Sequence, residues 1–409
     1  MHRSKTHPSC RLDRRRMLAQ TASAIAGLSL GSGIAAPAIV RAAPKASSWY
    51  FPRPDALGGW RTLVERNVEP SPGMKGEIRR LAGLDWDALL EAHRYSAGFA
   101  WDSRLLVIRR GWIAAEFGPA TAFDVASVSK SVTGLAVARL LELSGDMRLG
   151  RKLAPKTPVS ELLPASFAAG DPRRRKIRLG HLLSMTSGLE PDDDPYRPDY
   201  GPERVLHRPV VTEPGAQWAY CSATVDLLAL ALQNVTGRSL SDFFDEQVGA
   251  RIGMAPTSWG RYDGLDRACC AAVMPARDLA WLGWLLLAGG RWGTAGREER
   301  ILSPKIVQLL TRPSPLARRA RFTTTPNSPF QVEADSPLAY GKLWWTNATG
   351  TMLGPTVPTD AFYAHGFRES LLVVVPSLEL VVVRGGSRPP VLPAFRRELM
   401  ARIMAAVVA

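Results

Sequence analysis

"FDVASVSKSVTGLAVARLLELSG", Phe123 to Gly145, begins with hydroxyls crowded around a lysine and then turns almost wholly apolar until a helix-ending glycine. Lys130 stands three residues after Ser127, and helix positions i and i+3 share a face, so Oγ and Nζ can meet. A lysine placed there either snorkels to water or serves as the base for a serine nucleophile. The second reading suits the start of a helix. Its unpaired N–H groups and positive local field favour an oxyanion. Val128, Val132, Leu135 and Leu140 predict partial desolvation of Lys130, which lowers an amine's pKa toward a proton-accepting range. Of nine lysines, Lys130 alone has serine at i−3. In a chain this long one Ser-x-x-Lys is still close to chance, so the neighbouring segments must decide.

Upstream, "DWDALLEAHRYS" (Asp85 to Ser96) has helical spacing, and "GFAWDSRLLVIRR" and "GWIAAEFG" read as two strands with a turn at Arg109 to Gly111. From Leu149 to about Met254 the pattern is helical with long loops. It includes "HLLSMTSGL" (His181 to Leu189), "SATVDLLALALQNVTG" from a capping Ser222 to Gly237, and "SLSDFFDEQVGARIG". "ARDLAWLGWLLLAGG" (Ala276 to Gly290) is a buried helix too short to span a bilayer. Strands return in "LLVVVPSLELVVVRGG" (Leu371 to Gly386), a hairpin, before the amphipathic "AFRRELMARIMAAVV". Strands at both ends imply an α/β fold: residues 85–148 and 272–409 form an antiparallel sheet flanked by helices, 149–271 an inserted, mostly helical domain, and 43–84 a wrapping segment.

The chain has 409 residues, 46% hydrophobic, enough for a large core. Residues 1–42 read as a twin-arginine export signal: Arg14-Arg15, an uncharged Ala/Gly/Ser-rich run from Met17 to Val40, and a small-residue cleavage pattern at Val40-Arg41-Ala42. A periplasmic location is therefore expected, with no stable membrane insertion after signal removal. Beyond residue 42 the chain has 45 basic and 36 acidic residues, the excess gathered in "DPRRRKIR" and "LARRARF". With no nucleic-acid module in view, these read as solvated loops and no nucleic-acid partner is expected. Beyond the signal, Cys221, Cys269 and Cys270 are too few for a disulfide scaffold, and the six histidines lack ligand spacing, so no metal and no cofactor are expected. Cys221 either bridges to Cys269 or Cys270 or all three are buried thiols.

Two further segments carry chemistry. In "EPGAQWAYCSATV", Tyr220 just precedes a helix start. Beside a cationic lysine its phenolate is favoured, so it can relay protons; alternatively it is a buried aromatic anchoring the helix. In "FYAHGFRESLLVVVP", Gly366 permits close backbone approach by a ligand and the Phe367 N–H can be a second oxyanion donor. His365 is either part of that site or a strand-edge histidine. Of Trp344-Trp345, one ring is expected in the core and one, Trp345, on a pocket wall. "GLSLG" (Gly27 to Gly31) fits a nucleophile elbow but lies in the export signal.

Read in order, "ASVSKSVTG", "HLLSMTSGL", "PGAQWAYCS…LLALALQNVTGRSL", "MPARDLAWLGWLLLAGGRW", "AYGKLWW" and the final glycine-led hairpin resemble the serine β-lactamase and penicillin-binding-protein superfamily. Within it they look most like the class C-like esterases and amide hydrolases, the 6-aminohexanoate-dimer hydrolase branch included. The resemblance implies a β-lactamase-like fold, Ser127 as acyl-enzyme nucleophile, Lys130 as its base partner and Tyr220 as proton relay, acting on a small ester or amide. Two departures stand out. The family's Tyr-x-Asn is Tyr220-Cys221-Ser222, and its Lys-Thr-Gly or His-x-Gly element is Ala364-His365-Gly366, without a cation first. The first replaces a side-chain amide that contacts a substrate carbonyl by a shorter hydroxyl, the second lacks the cation a β-lactam carboxylate wants, and both weigh against a β-lactamase or DD-peptidase. The alternatives are a β-lactamase or DD-peptidase, or a catalytically silent protein binding cell-wall fragments.

Overall fold

The computed structural model describes residues 49–54, 57–145, 150–191, 195, 200–294, 296–323, 332–387 and 393–408. The expected export signal and its cleavage site lie outside the described residues. Contacts gather residues from Pro44 onward into one compact unit.

The core sheet is made by both ends of the chain. Its strands are β1 (Arg61–Thr62), β2 (Arg104–Arg109), β3 (Trp112–Phe117), β4 (Trp345–Thr346), β5 (Phe362–Gly366), β6 (Ser370–Val375) and β7 (Leu380–Gly385), in the order β1-β3-β2-β7-β6-β5-β4. All pairs are antiparallel except the short β1, which runs parallel to β3 and makes the sheet mixed. The β2–β3 turn is Arg110-Gly111, both at positive φ (53° and 78°), as a tight two-residue hairpin requires. The valine runs of β6 and β7 pair Val373 with Val382, and Val382 in turn with Val107 of β2. All three are buried, as expected of a sheet covered on both faces.

One face is covered by α1 (Trp86–Ala97) and α6 (Pro393–Ala405), which pack on each other. Against the other lie α2 (Val128–Gly145) and α5 (Ala276–Leu287). Helix α5 touches the sheet at Gly283, where a Cβ would stand 2.9 Å from Leu372 Cδ1 and 3.0 Å from Val374 Cγ2. Behind α2 stand α3 (Leu179–Leu183) and α4 (Ser222–Thr236) with the long loops of the middle of the chain. Helix α2 is thus sandwiched and buried almost all round, which is why its sequence shows no polar face. Among the described residues, no helix is long and apolar enough to cross a membrane.

Candidate active site

The turn before α2 sets a buried serine at the helix start. Ala126 sits at φ 51°, a left-handed conformation that a β-carbon disfavours, and Asp124 Oδ1 stabilises it by accepting from the Ala126 N–H at 2.7 Å. Ser127 follows directly, and α2 begins at Val128. Lys130, one turn on, is 2% exposed, so it does not snorkel to water. Its Nζ lies 3.0 Å from Ser127 Oγ and donates at 2.8 Å to the Cys269 carbonyl. Lys130 Nζ also stands over the Tyr220 ring, 4.9 Å from its centroid. The structure thus brings Ser127, Lys130 and Tyr220 together.

The segment Ala268–Ala272 holds the first turns of α2 in place. Thr133 Oγ1 donates to the Ala268 carbonyl (2.9 Å), and the Ala272 N–H donates to Ser129 Oγ (3.0 Å). Behind it Asp226 of α4, fully buried, accepts from the Cys269 N–H (3.0 Å) and the Tyr200 hydroxyl (2.7 Å). Burial raises the Asp226 pKa, against these hydrogen bonds and the charge of Lys130. Sequence reading missed Asp226. Its signal was a lone carboxylate inside the apolar run "SATVDLLALAL", where a charge needs a partner.

Gly366 ends β5, and a Cβ there would lie 2.4 Å from the Val125 carbonyl oxygen and 3.0 Å from the Ser127 nitrogen. The close approach this glycine permits is therefore made by the chain's own turn before α2, where a ligand was expected. Phe367 begins the tight turn into β6, and its side chain is 38% exposed. With Ala126, Phe123, Arg104 and Arg368 it bounds a cavity of about 430 Å³. That turn contains two consecutive non-glycine residues at positive φ, Arg368 (62°) and Glu369 (55°). The buried Arg384 secures it by donating to the carbonyls of both.

A second cavity is bounded by Tyr220, Trp345, Tyr363, His365, Glu333 and Arg396. Trp345 stacks on Tyr220 (centroids 5.8 Å apart), and both Trp344 and Trp345 are buried. His365 Nε2 lies 3.2 Å from Glu369 Oε1 and 3.4 Å from Arg396 Nη1. Burial alone would raise the Glu369 carboxyl; His365 and Arg396 outweigh it and hold it below the usual carboxylate range. Arg396 also pairs with Glu333 at 3.3 Å. This buried cation, brought by α6, was not recognised in the sequence, although it shares the apolar face of that helix with Leu399, Met400 and Ile403. Ser222 is buried and is the first residue of α4 rather than its cap, a position taken by Cys221. Cys221, Cys269 and Cys270 are all buried and none is in a disulfide, so the bridge weighed for Cys221 is not formed.

Comparison with known proteins agrees with this architecture. The D-alanyl-D-alanine-carboxypeptidase/endopeptidase AmpH of Escherichia coli K12 is 29% identical over 153 residues, which is 33% of this chain and 36% of AmpH. The chain thus matches only about a third of that relative's length. A solved structure from Bacillus anthracis, provisionally designated a 6-aminohexanoate-dimer hydrolase, superposes with TM-score 0.58 at 17% identity, covering 87% of this chain and 88% of the other. EstCE1, a hydrolase with promiscuous acyltransferase activity, superposes with TM-score 0.55 at 18% identity, covering 79% and 98%. At those identities the likeness is one of fold. The family comparison matches residues 90–403, from α1 to α6, without interruption, and on that extent the chain belongs to the Beta-lactamase family.

Proposed function

We propose that the protein is a serine hydrolase that cleaves a small ester or amide through an acyl-enzyme on Ser127. The observation that carries this reading is the buried Lys130 amine 3.0 Å from Ser127 Oγ at a helix start. In its neutral form the amine takes the hydroxyl proton as Oγ attacks the substrate carbonyl, and the ammonium formed keeps its hydrogen bond to the Cys269 carbonyl. The Ser127 and Phe367 N–H groups are assigned to the oxyanion, since Gly366 presses the end of β5 against the Ser127 nitrogen. Tyr220, whose ring lies under Lys130 Nζ, returns the proton to the leaving group. Water then releases the acyl group by the reverse path.

The Ala364-His365-Gly366 element, with no cation in its first position, favours an uncharged ester or amide over a β-lactam or a D-alanyl peptide. Beside His365, Arg396 already faces Glu333 and Glu369, which leaves it little net charge for a substrate carboxylate. We also propose that residues 1–42 export the chain to the periplasm, from the paired arginines and cleavage pattern. Turnover of p-nitrophenyl butyrate, followed through its first seconds beside nitrocefin, tests the assignment. A burst of nitrophenol followed by steady hydrolysis, with nitrocefin cleaved far less efficiently, is expected. Comparable nitrocefin cleavage would favour the β-lactamase or DD-peptidase reading, and no turnover with no covalent adduct the silent binding protein.

A further inference from the structure

Cys269 and Cys270 are adjacent in sequence, and both are buried. Their sulfurs nevertheless face each other at 3.0 Å, far from the disposition of side chains that alternate along an extended strand. The peptide unit between them carries the Cys269 carbonyl, the group that receives the Lys130 hydrogen bond. Small changes at this dipeptide therefore act directly on the base of the proposed nucleophile. Mutual hydrogen bonding also separates the two thiols: burial pushes Cys269 up, while the Cys269 hydrogen bond brings Cys270 down, toward the thiolate that exchange requires.

We propose that Cys269 and Cys270 are a redox modification site, oxidised by small disulfides to a vicinal disulfide that disengages the Cys269 carbonyl from Lys130. The Cys270 thiolate attacks the small disulfide, forming a mixed disulfide and expelling one thiol. The Cys269 thiolate then attacks the Cys270 sulfur and expels the second. Two protein thiols lose two electrons and two protons, and the reagent leaves as two thiols carrying both. Consecutive Cα atoms lie about 3.8 Å apart across a trans peptide, less than the roughly 4.4 Å at which unstrained disulfides begin. Closing the ring must therefore reorient the peptide it contains, and that peptide's oxygen is the one bonded to Lys130. A strained disulfide is also readily reduced, so the change is reversible. Both sulfurs are buried, so the reagent reaches Cys270 when the turn between the partly exposed Arg267 and Ala271 opens locally.

The effect on rate rests on the hydrolase reading; the disulfide does not. The full chain is incubated natively with hydroxyethyl disulfide, then denatured, alkylated and digested with trypsin. The peptide from Ala268 to Arg277 contains both cysteines and no other. It is expected unalkylated and lighter by two hydrogens, and doubly alkylated if dithiothreitol follows the oxidant. Ester hydrolysis falls about tenfold on oxidation, the scale of losing one charged hydrogen bond, and returns on reduction. Cys270→Ser, measured against its own basal rate, loses the sensitivity to the oxidant, while Cys221→Ser keeps it. Double alkylation after the oxidant, a lasting mixed disulfide, or a cross-link to Cys221 would overturn the site. A vicinal disulfide with an unchanged rate would overturn its coupling to Lys130. Reduced protein without any ester turnover would refute the hydrolase reading instead, and the peptide mass would still decide the disulfide.

Discussion

Lys130 Nζ hydrogen-bonds to Ser127 Oγ and to the Cys269 carbonyl, contacts that help a buried lysine to be tolerated here; in the proposed mechanism the first reacts and the second holds. Replacing it by alanine removes the proton acceptor and leaves that buried carbonyl unpaired. The acylation rate should fall by about 10³-fold or more, read as the pre-steady-state burst. Tyr220→Phe keeps the ring beneath Nζ and the stacking on Trp345, so stability should hold while turnover falls by about 10²-fold or more. Full turnover in that variant would remove Tyr220 from the proton path. At this scale the sequence was legible where spacing is local, since i and i+3 on a helix place two side chains together wherever the helix goes. It was silent about Asp226, Arg396 and the Cys269 carbonyl, which reach the site only through tertiary packing.

Among the elements, the junction of β5 with the turn before α2 governs whether two halves of a site made far apart in sequence can meet. Gly366 has ordinary extended angles (φ −127°, ψ 164°), so its requirement is one of space alone. Gly366→Ala must push β5 off the Val125 carbonyl. It should lower kcat/KM by about tenfold or more while destabilising the fold by only about 1–3 kcal/mol, read as initial rates beside urea unfolding. Wild-type rates in that variant would mean the close approach is dispensable. The hairpin of β6 and β7, the β2–β3 turn and helices α2 and α5 were all readable from apolar runs and turn residues. The two-residue strand β1 was not, because Arg61-Thr62 carries no alternation of its own and pairs only because β3 presents a free edge.

In the whole molecule, a second buried lysine shows what a cation costs where nothing reacts with it. Lys342 is 4% exposed, and its Nζ donates to the hydroxyls of Ser184 and Ser314, with no ion-pair partner among the described residues. Burial lowers its pKa from 10.5 to about 8. The folded state thus binds fewer protons than the unfolded chain between those values, so stability should rise with pH across that window and carry the full penalty below it. Lys342→Met removes the charge and leaves Ser184 and Ser314 bonded to each other at 2.8 Å; at pH 7 it should stabilise by about 1–3 kcal/mol and flatten the alkaline rise, read by thermal unfolding from pH 7 to 10. A destabilised variant would show that the hydroxyls satisfy the ammonium fully. The sheet built from both chain ends was legible because strands bracket a helical middle. The cavities were not, since they depend on which distant side chains converge. The central claim is most directly tested by the intact mass of the purified chain after exposure to a fluorophosphonate, with the modified peptide sequenced. One adduct on Ser127, absent in Ser127→Ala, is the predicted result; an unmodified chain, or an adduct on another residue, would contradict it.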